Sequence, residues 1–204
     1  TPIFDIGTFM DYPYVPVVRS ASLAGYLDLA QSVGLDAHAM LRRAGLSPRS
    51  LEDPETPLST VAVRALLEDS AQASGVDDFG LRMAQSRKIS NLGPLALLWR
   101  EPTLRCTLKA LQAFLSLHNQ GLVLDIEEGA GVAVLRLELM TVSHVFVRQS
   151  VELAVAVTHR LLQTLLGNRW RPSAVCFRHC AALDGERHQR VFGTAIQFNG
   201  LMDG

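Results

Sequence analysis

The sequence lacks the long apolar run that a membrane-spanning helix requires, has few cysteines and carries no excess of charge. No stretch approaches the ~20 apolar residues needed to cross a bilayer, and no basic segment precedes an apolar one at the N-terminus. Three cysteines, Cys106, Cys176 and Cys180, cannot all pair within one chain, which favours a reducing compartment. The 19 Lys and Arg against 20 Asp and Glu give a net charge of −1, which argues against a stand-alone nucleic-acid-binding domain.

The motifs of common enzyme classes are also missing. There is no G-x-S-x-G, no Walker A sequence and no H-E-x-x-H, and the six histidines are scattered, so we expect no catalytic residues and no cofactor. Cys176, His179, Cys180 and His188 invite a metal hypothesis. However, C-x3-C matches no usual zinc spacing, and a strand would turn His179 away from the two cysteines, so we expect no metal site.

What the 204 residues do contain is a globular composition, 48% hydrophobic and 19% charged, with helical periodicity through the first half. Residues 1–19, rich in proline, glycine and aromatics, predict an irregular arm. Capping residues such as Asp36, Ser59 and Thr103 precede apolar positions at helical spacing. The predicted helices cover residues 22–33, 36–43, 59–74, 78–85, 94–100 and 103–118.

After Gly121 the spacing of the apolar residues changes from a helical period to an alternation of apolar and polar positions. Residues 122–127 and 132–139 flank a glycine-containing turn and predict a β-hairpin. The remaining segments predict a helix at 146–166, a strand at 174–179, a helix at 185–192 and a strand at 195–198. The fold class is therefore α+β: a helical N-terminal half, then a small sheet of the hairpin plus later strands, packed with helices. Residues 1–204 form one domain, with 17–90 and 91–204 as candidate subdomains.

Two features leave alternatives open. One face of helix 146–166 carries Arg148, Glu152, His159 and Gln163, and this face either is solvated or forms a polar rim in a cavity. His118 ends a stripe of leucines along helix 103–118. It is either a core histidine with a backbone partner or a polar group at the mouth of an apolar pocket.

Residues 26–45 have some spacing features of a helix-turn-helix. Ala30 and Gly34 match the small residue and the turn glycine of that motif, but Arg43 falls where a recognition helix needs a buried apolar residue. An ordinary helical hairpin is the favoured interpretation, and DNA contact through this segment is the alternative.

Six short runs follow one another in a characteristic order: FGLRMA at 79–84, LGPLALLWREPTLR at 92–105, RQSVEL at 148–153, GNRWRP at 167–172, VCFRH at 175–179 and FG at 192–193. Together they resemble the N-terminal effector domain of one branch of AraC/XylS-type bacterial transcription regulators, often called arabinose-binding-like. Their order and spacing carry the resemblance, which covers roughly residues 17–200. Cys180 departs from the pattern, because proline is expected after the histidine.

The resemblance implies the regulatory domain of a cytoplasmic bacterial regulator that senses a small effector of unknown identity, self-associates, or does both. It implies that DNA is bound by a C-terminal helix-turn-helix domain beyond residue 204 and not by this fragment. A homodimer is expected, with the exposed part of helix 103–118 or 146–166 as the contact. A dimerisation module without a ligand and an uncharacterised enzyme are the alternatives.

The predicted effector-binding residues are Trp99, His118, Arg148, Gln149 and Glu152. They lie on helices 94–100, 103–118 and 146–166, which with the hairpin carry bulky apolar residues beside few polar groups. Arg148 would anchor an anionic group through two hydrogen bonds, while Gln149 and Glu152 would select ligand donors. Alternatively, Glu152 neutralises Arg148 in the empty protein.

Overall fold

A computed structural model of the chain describes residues 15–87, 93, 100–140, 147–181 and 185–204. The helices are α1 (Tyr26–Ser32), α2 (Ala37–Arg43), α3 (Thr60–Ser74), α4 (Phe79–Ser86), α5 (Leu104–Phe114), α6 (Arg148–Leu166) and α7 (Glu186–Phe192). The strands are β1 (Val17–Arg19), β2 (Pro57–Ser59), β3 (Leu122–Gly129), β4 (Val132–Leu139), β5 (Val175–Cys176) and β6 (Ile196–Gln197). Trp99 and residues 94–99 of the predicted short helix lie outside the described residues.

The α+β prediction is confirmed, and the helices begin where side chains can satisfy their free N–H groups. Asp36 Oδ1 accepts from Ala39 N at 3.0 Å, and Thr103 Oγ1 accepts from Cys106 N at 3.1 Å. Ser59 starts α3 in the same way. Each of these residues meets an N–H that has no partner within its own helix, so the caps fix where the helices begin.

The predicted hairpin is present and has a tight turn. β3 and β4 pair antiparallel from Leu122 opposite Leu139 to Gly129 opposite Val132. Ala130 and Gly131 form the turn with φ values of 51° and 78°. Two successive left-handed residues match the right-handed twist of the strands, which fixes the register of the pair.

The strand pairing differs from the sequence-based expectation in two respects. The end of the predicted irregular arm forms β1, which pairs antiparallel with β2 across some forty residues of sequence. The described strands form three separate two-stranded sheets, so the later strands do not extend the hairpin. β5 and β6 instead pair parallel with each other. Residues 203–204 bridge the two units, since Leu137 N donates to Asp203 O and Cys176 N donates to Gly204 O.

Helix α6 lies at the centre of the core. It packs against α3, α4, α7 and β4. Its buried residues include polar Gln149, Glu152 and His159 as well as the aliphatic ones. On the polar face that the sequence leaves open, Glu152 and His159 are buried, whereas Arg148 and Gln163 are half-buried. The buried side chains of this face need partners within the protein.

The contact between α4 and α6 requires a glycine. A Cβ at Gly80 would overlap the carbonyl oxygen of Gln149 and lie 2.9 Å from its carbonyl carbon. Gly80 N donates to Gln149 Oε1 at 2.8 Å, and Gln149 Nε2 donates to Asp77 O at 2.8 Å. The Gln149 amide thus holds the beginning of α4 against α6 at a distance that only glycine allows.

We predict that Gly80→Ala destabilises the domain by about 1–3 kcal/mol, because the added methyl group separates α4 from α6. Alanine ordinarily stabilises a helix relative to glycine, so the effect has the opposite sign from the helix propensity. Urea unfolding measures the change. Gly129→Ala, where a Cβ meets nothing within 4 Å, is the matched control and is expected to be close to neutral. Equal stability of the two variants would contradict this account of the contact.

Candidate functional site

A cavity of about 110 Å³ lies between α6, α3, α5 and the hairpin. Its apolar wall includes Val63, Leu111, Leu115, Leu139, Leu153 and Val157. For comparison, an apolar protein cavity of about 150 Å³ holds one benzene molecule. The cavity of this protein is smaller, so it has space for an organic molecule of benzene size or less. Apolar walls with a few polar groups are the usual composition of such sites.

The polar atoms that line this cavity are unusual because several of them lack partners. Ser22 Oγ, Thr60 Oγ1 and Ser150 Oγ are buried and make no hydrogen bond within the described part of the chain. Arg87, just after α4, lines the same cavity, and its Nε and Nη2 are also buried without a hydrogen-bond partner among the described residues. Buried polar groups are almost always satisfied, so each exception needs an explanation. The other exceptions among the described residues lie around Glu152, His159 and Arg187, whereas those on these four residues border a space that a molecule can fill.

The second arginine of the cavity, Arg64, differs from Arg87 because its guanidinium donates hydrogen bonds to two backbone carbonyls. Its Nη1 donates to Met140 O and its Nη2 to Gly121 O, both at 2.8 Å. These two bonds hold α3 against the open end of the hairpin, where β3 begins and β4 ends. Burial lowers the pKa of Arg64, but its guanidinium has protein acceptors. Arg64 is thus a structural residue of the wall.

His118 lines the cavity in a defined tautomer. Arg19 Nη1 lies 3.0 Å from His118 Nδ1, and a guanidinium can only donate, so Nδ1 is the acceptor and the proton is on Nε2. Burial, with the charges of Arg87 and Arg19, lowers the pKa of His118 from 6.5 to about 4. At neutral pH the ring is therefore uncharged and offers one N–H donor.

A second group of polar residues surrounds Glu152, which is completely buried. Glu152 Oε1 accepts from Arg148 Nε at 2.9 Å and lies 3.0 Å from Nε2 of the equally buried His188. His179 Nε2 is 3.5 Å from the same oxygen. Phe177 and Phe198 pack against the His188 ring with centroid distances of 5.8 and 5.2 Å. This cluster links α6 to α7 and to the segment after β5.

The structure separates the predicted site residues into two groups. His118 lines the cavity, whereas Arg148, Gln149 and Glu152 are not among the cavity-lining residues. Arg148 pairs with Glu152 within α6, Gln149 bonds to the beginning of α4, and Glu152 also contacts His188 of α7. Trp99 is outside the described residues. The alternative in which Glu152 neutralises Arg148 matches the observed ion pair. An effector-binding role for these residues stays a prediction.

Arg87 was missed by the sequence analysis. It stands at the end of α4, where an arginine is ordinary and favourable beside the helix C-terminus. Only the packing of α5 and α6 reveals that this guanidinium is enclosed. No signal in the sequence distinguishes Arg87 from the exposed arginines.

The described residues contain neither a membrane-spanning helix nor a metal-binding group of side chains. No helix there is long and apolar enough to cross a membrane. No group of three or more His, Cys, Asp or Glu side chains in the described ranges is arranged to hold a metal ion. Cys106, Cys176 and Cys180 are free thiols.

A family model of N-terminal domains matches most of the chain. Residues 34–201 match the family model described as the arabinose-binding domain of AraC transcription regulators, N-terminal. The chain therefore belongs to this family of AraC regulator N-terminal domains.

Two curated relatives support this assignment. The HTH-type transcriptional regulator VirS of Mycobacterium tuberculosis (strain CDC 1551 / Oshkosh) is 28% identical over 185 residues. The protein of that name from strain ATCC 25618 / H37Rv has the same identity over the same length. The alignment covers 89% of this chain and 54% of the relative, so the chain spans about half the length of the curated relatives it matches.

The Glu152 cluster generates a prediction about stability. Glu152→Ala leaves the buried His188 and the half-buried Arg148 without their carboxylate, and we expect a loss of about 3–5 kcal/mol in the free energy of unfolding. Urea denaturation of both proteins measures it. Glu138→Ala, which breaks the exposed pair with Arg178, is the control and should cost no more than about 1 kcal/mol. Similar losses in the two variants would show that the buried cluster is not a structural link.

Proposed function

We propose that this domain senses a small-molecule effector that binds in the cavity beside α6. The observation that carries the proposal is the collection of buried polar atoms there, on Ser22, Thr60, Arg87 and Ser150, that have no hydrogen-bond partner in the described part of the chain. A ligand with polar and apolar parts would satisfy these atoms and fill the space between the leucines and valines. The alternative of a dimerisation module without a ligand leaves them unexplained.

The position of the cavity suggests how binding would be transmitted. Its lining comes from β1, α3, α5, the hairpin and α6, so a bound molecule contacts α6 and two of the elements packed against it, α3 and the hairpin. An effector changes DNA affinity only by the difference in its affinity for two arrangements of the regulator. A ligand that draws α5 and the hairpin towards α6 would favour one such arrangement.

The partner in this scheme is DNA bound elsewhere in a longer cytoplasmic protein. The relatives are named as HTH-type regulators and are about twice as long as the aligned region. This chain has a net charge of −1, which suits a sensing domain better than a DNA-binding one. Within α2, Arg43 pairs with Asp69 of α3 at 3.4 Å, so one of the few cations of segment 26–45 has an intramolecular partner.

Filling the cavity tests the sensing proposal. A thermal-shift screen of amino acids, organic acids and fatty acids would identify a ligand, which at 100 times its Kd adds about 2.7 kcal/mol, or several degrees in Tm. We expect Ala154→Leu, which places three carbon atoms in the cavity, to abolish that shift. The exposed Ala73→Leu on α3 should preserve it. A shift that survives Ala154→Leu would locate the ligand elsewhere.

Self-association is a second function, favoured by an exposed apolar patch. Phe114 is 49% exposed and Leu117 68% exposed at the end of α5, and Val123 of the adjacent β3 is 45% exposed. A regulator that reads paired DNA sites requires a two-fold protein, and a second copy of this chain would cover the patch. Most of α6 is enclosed in the core, so the α5 end is the better of the two predicted contacts.

Sedimentation equilibrium tests the proposed dimer. We expect a concentration-dependent dimer that Leu117→Glu converts to a monomer, because two like charges would meet at the contact. Val61→Glu on α3 is the matched control, since Val61 is also exposed, at 46%, but lies outside the patch. A monomer at all concentrations, or a dimer unaffected by Leu117→Glu, would contradict this contact.

A further inference from the structure

We propose that the effector is a small monoanion, a carboxylate on a short apolar body, and that Arg87 binds its charged group. This inference rests on the proposed sensing function and specifies the ligand that the same cavity takes.

The charge of the cavity supports an anion. Its described lining contains Arg64 and Arg87 and neither aspartate nor glutamate. Arg64 donates to two backbone carbonyls, which leaves Arg87 as the cation whose buried atoms have no acceptor among the described residues. An enclosed charge without a counter-ion is costly, and even the pKa of Arg87 is lowered by burial to about 10. A bound anion would remove that cost.

The geometry of Arg87 suits a carboxylate in particular. The two atoms without partners, Nε and Nη2, form one edge of the planar guanidinium. Two parallel N–H groups on one edge match the two oxygens of a carboxylate, and such bidentate pairs are the strong form of this interaction. Since Arg87 supplies a single uncompensated positive charge, the complementary ligand carries a single negative charge.

The other free polar groups of the cavity also require an acceptor or can adapt to one. His118 presents an N–H at Nε2, because its Nδ1 already accepts from Arg19. The hydroxyls of Ser22, Thr60 and Ser150 rotate freely and can donate. A carboxylate only accepts, and it meets donors on several sides, whereas an ammonium group would bring further donors and a repelled charge.

The size of the cavity limits the apolar part. A volume of 110 Å³ is below the ~150 Å³ that holds benzene, so the whole ligand has at most about six non-hydrogen atoms, the size of a four-carbon carboxylate. Leu111, Leu153 and Val157 would contact its chain. Butanoate, 1-butanol and butylamine then form a matched series that changes the charge while the chain stays constant.

The test is a titration of the 204-residue chain with each of these three probes at neutral pH, monitored by calorimetry or NMR. We expect butanoate to bind about tenfold or more tightly than 1-butanol, and butylamine not to bind. Arg87→Met should bring butanoate to the affinity of 1-butanol or below, with little change for 1-butanol. Arg105→Met is the control, because Arg105 is exposed and paired with Glu128. It should leave all three affinities unchanged.

The outcomes separate the ligand class from the sensing function. If 1-butanol equals butanoate in the unmodified chain and both are lost in Ala154→Leu, the cavity binds ligands but the anion inference is wrong. If butanoate binding depends on Ala154 but not on Arg87, the anchor is wrong. If none of the three probes binds at millimolar concentration, the inferred ligand class is wrong, and the thermal-shift screen decides the sensing proposal separately. If probes bind but Ala154→Leu has no effect, both proposals are contradicted, because the ligand is not in this cavity. Thermal unfolding of Arg87→Met checks that it folds, and removal of a buried charge should not lower its Tm.

Discussion

The burial of α6 is the constraint on which the rest of the structure depends. This helix is covered by α3, α4, α7 and the hairpin, yet it carries polar residues on more than one side. Inside a protein such residues must find partners, and the partners in turn position the surrounding elements. Gln149 holds the beginning of α4, while Glu152 holds α7 through His188. Glu68 of α3 accepts from the backbone N–H of Gln149, which adds a third attachment at the beginning of α6.

The two sides of α6 differ in what their buried polar groups contact. On the side of Gln149 and Glu152, hydrogen bonds and ion pairs to neighbouring elements hold the fold together, although Arg148 Nη2, Glu152 Oε2 and His188 Nδ1 have no hydrogen-bond partner among the described residues. On the side of Ser150 and Val157, the helix faces a cavity with enclosed hydroxyls and the Arg87 guanidinium. A domain with both kinds of surface on one helix has a means of coupling a bound molecule to its packing, because movement of α6 changes both sides at once.

The sequence predicts the features that depend on local chemistry. Helix α6, the hairpin and the capping residues Asp36, Ser59 and Thr103 follow from periodicity, turn residues and side-chain acceptors close in sequence. His118 lines the cavity together with Leu111 and Leu115 of the predicted leucine stripe, although α5 ends at Phe114 and a 3-10 turn at Leu115–Leu117 replaces the last part of the predicted helix 103–118. These signals are contained within one element, and for that reason a single sequence is sufficient.

The features that the sequence does not predict depend on contacts between distant segments. β1 is three residues long, too short for an alternating pattern, and its partner β2 lies about forty residues away. Glu152 and His188 are 36 residues apart and meet only because α7 folds back onto α6. Arg148 and Glu152 show the same i, i+4 spacing as an exposed pair, so their enclosure follows from packing and not from spacing. The burial of Arg87 has the same origin.

The protonation of His118 tests most directly the claim that the cavity is enclosed and cationic. Long-range ¹H–¹⁵N NMR spectra, assigned with His118→Gln, report both the tautomer and the pKa of the ring. The account predicts a neutral ring with its proton on Nε2 that gains a second proton only as the pH falls to about 4. Since folding lowers this pKa, the associated stability is complete above pH 6.5 and declines as the pH falls towards 4. A proton on Nδ1 at neutral pH, or a pKa at the ordinary value of 6.5, would contradict it.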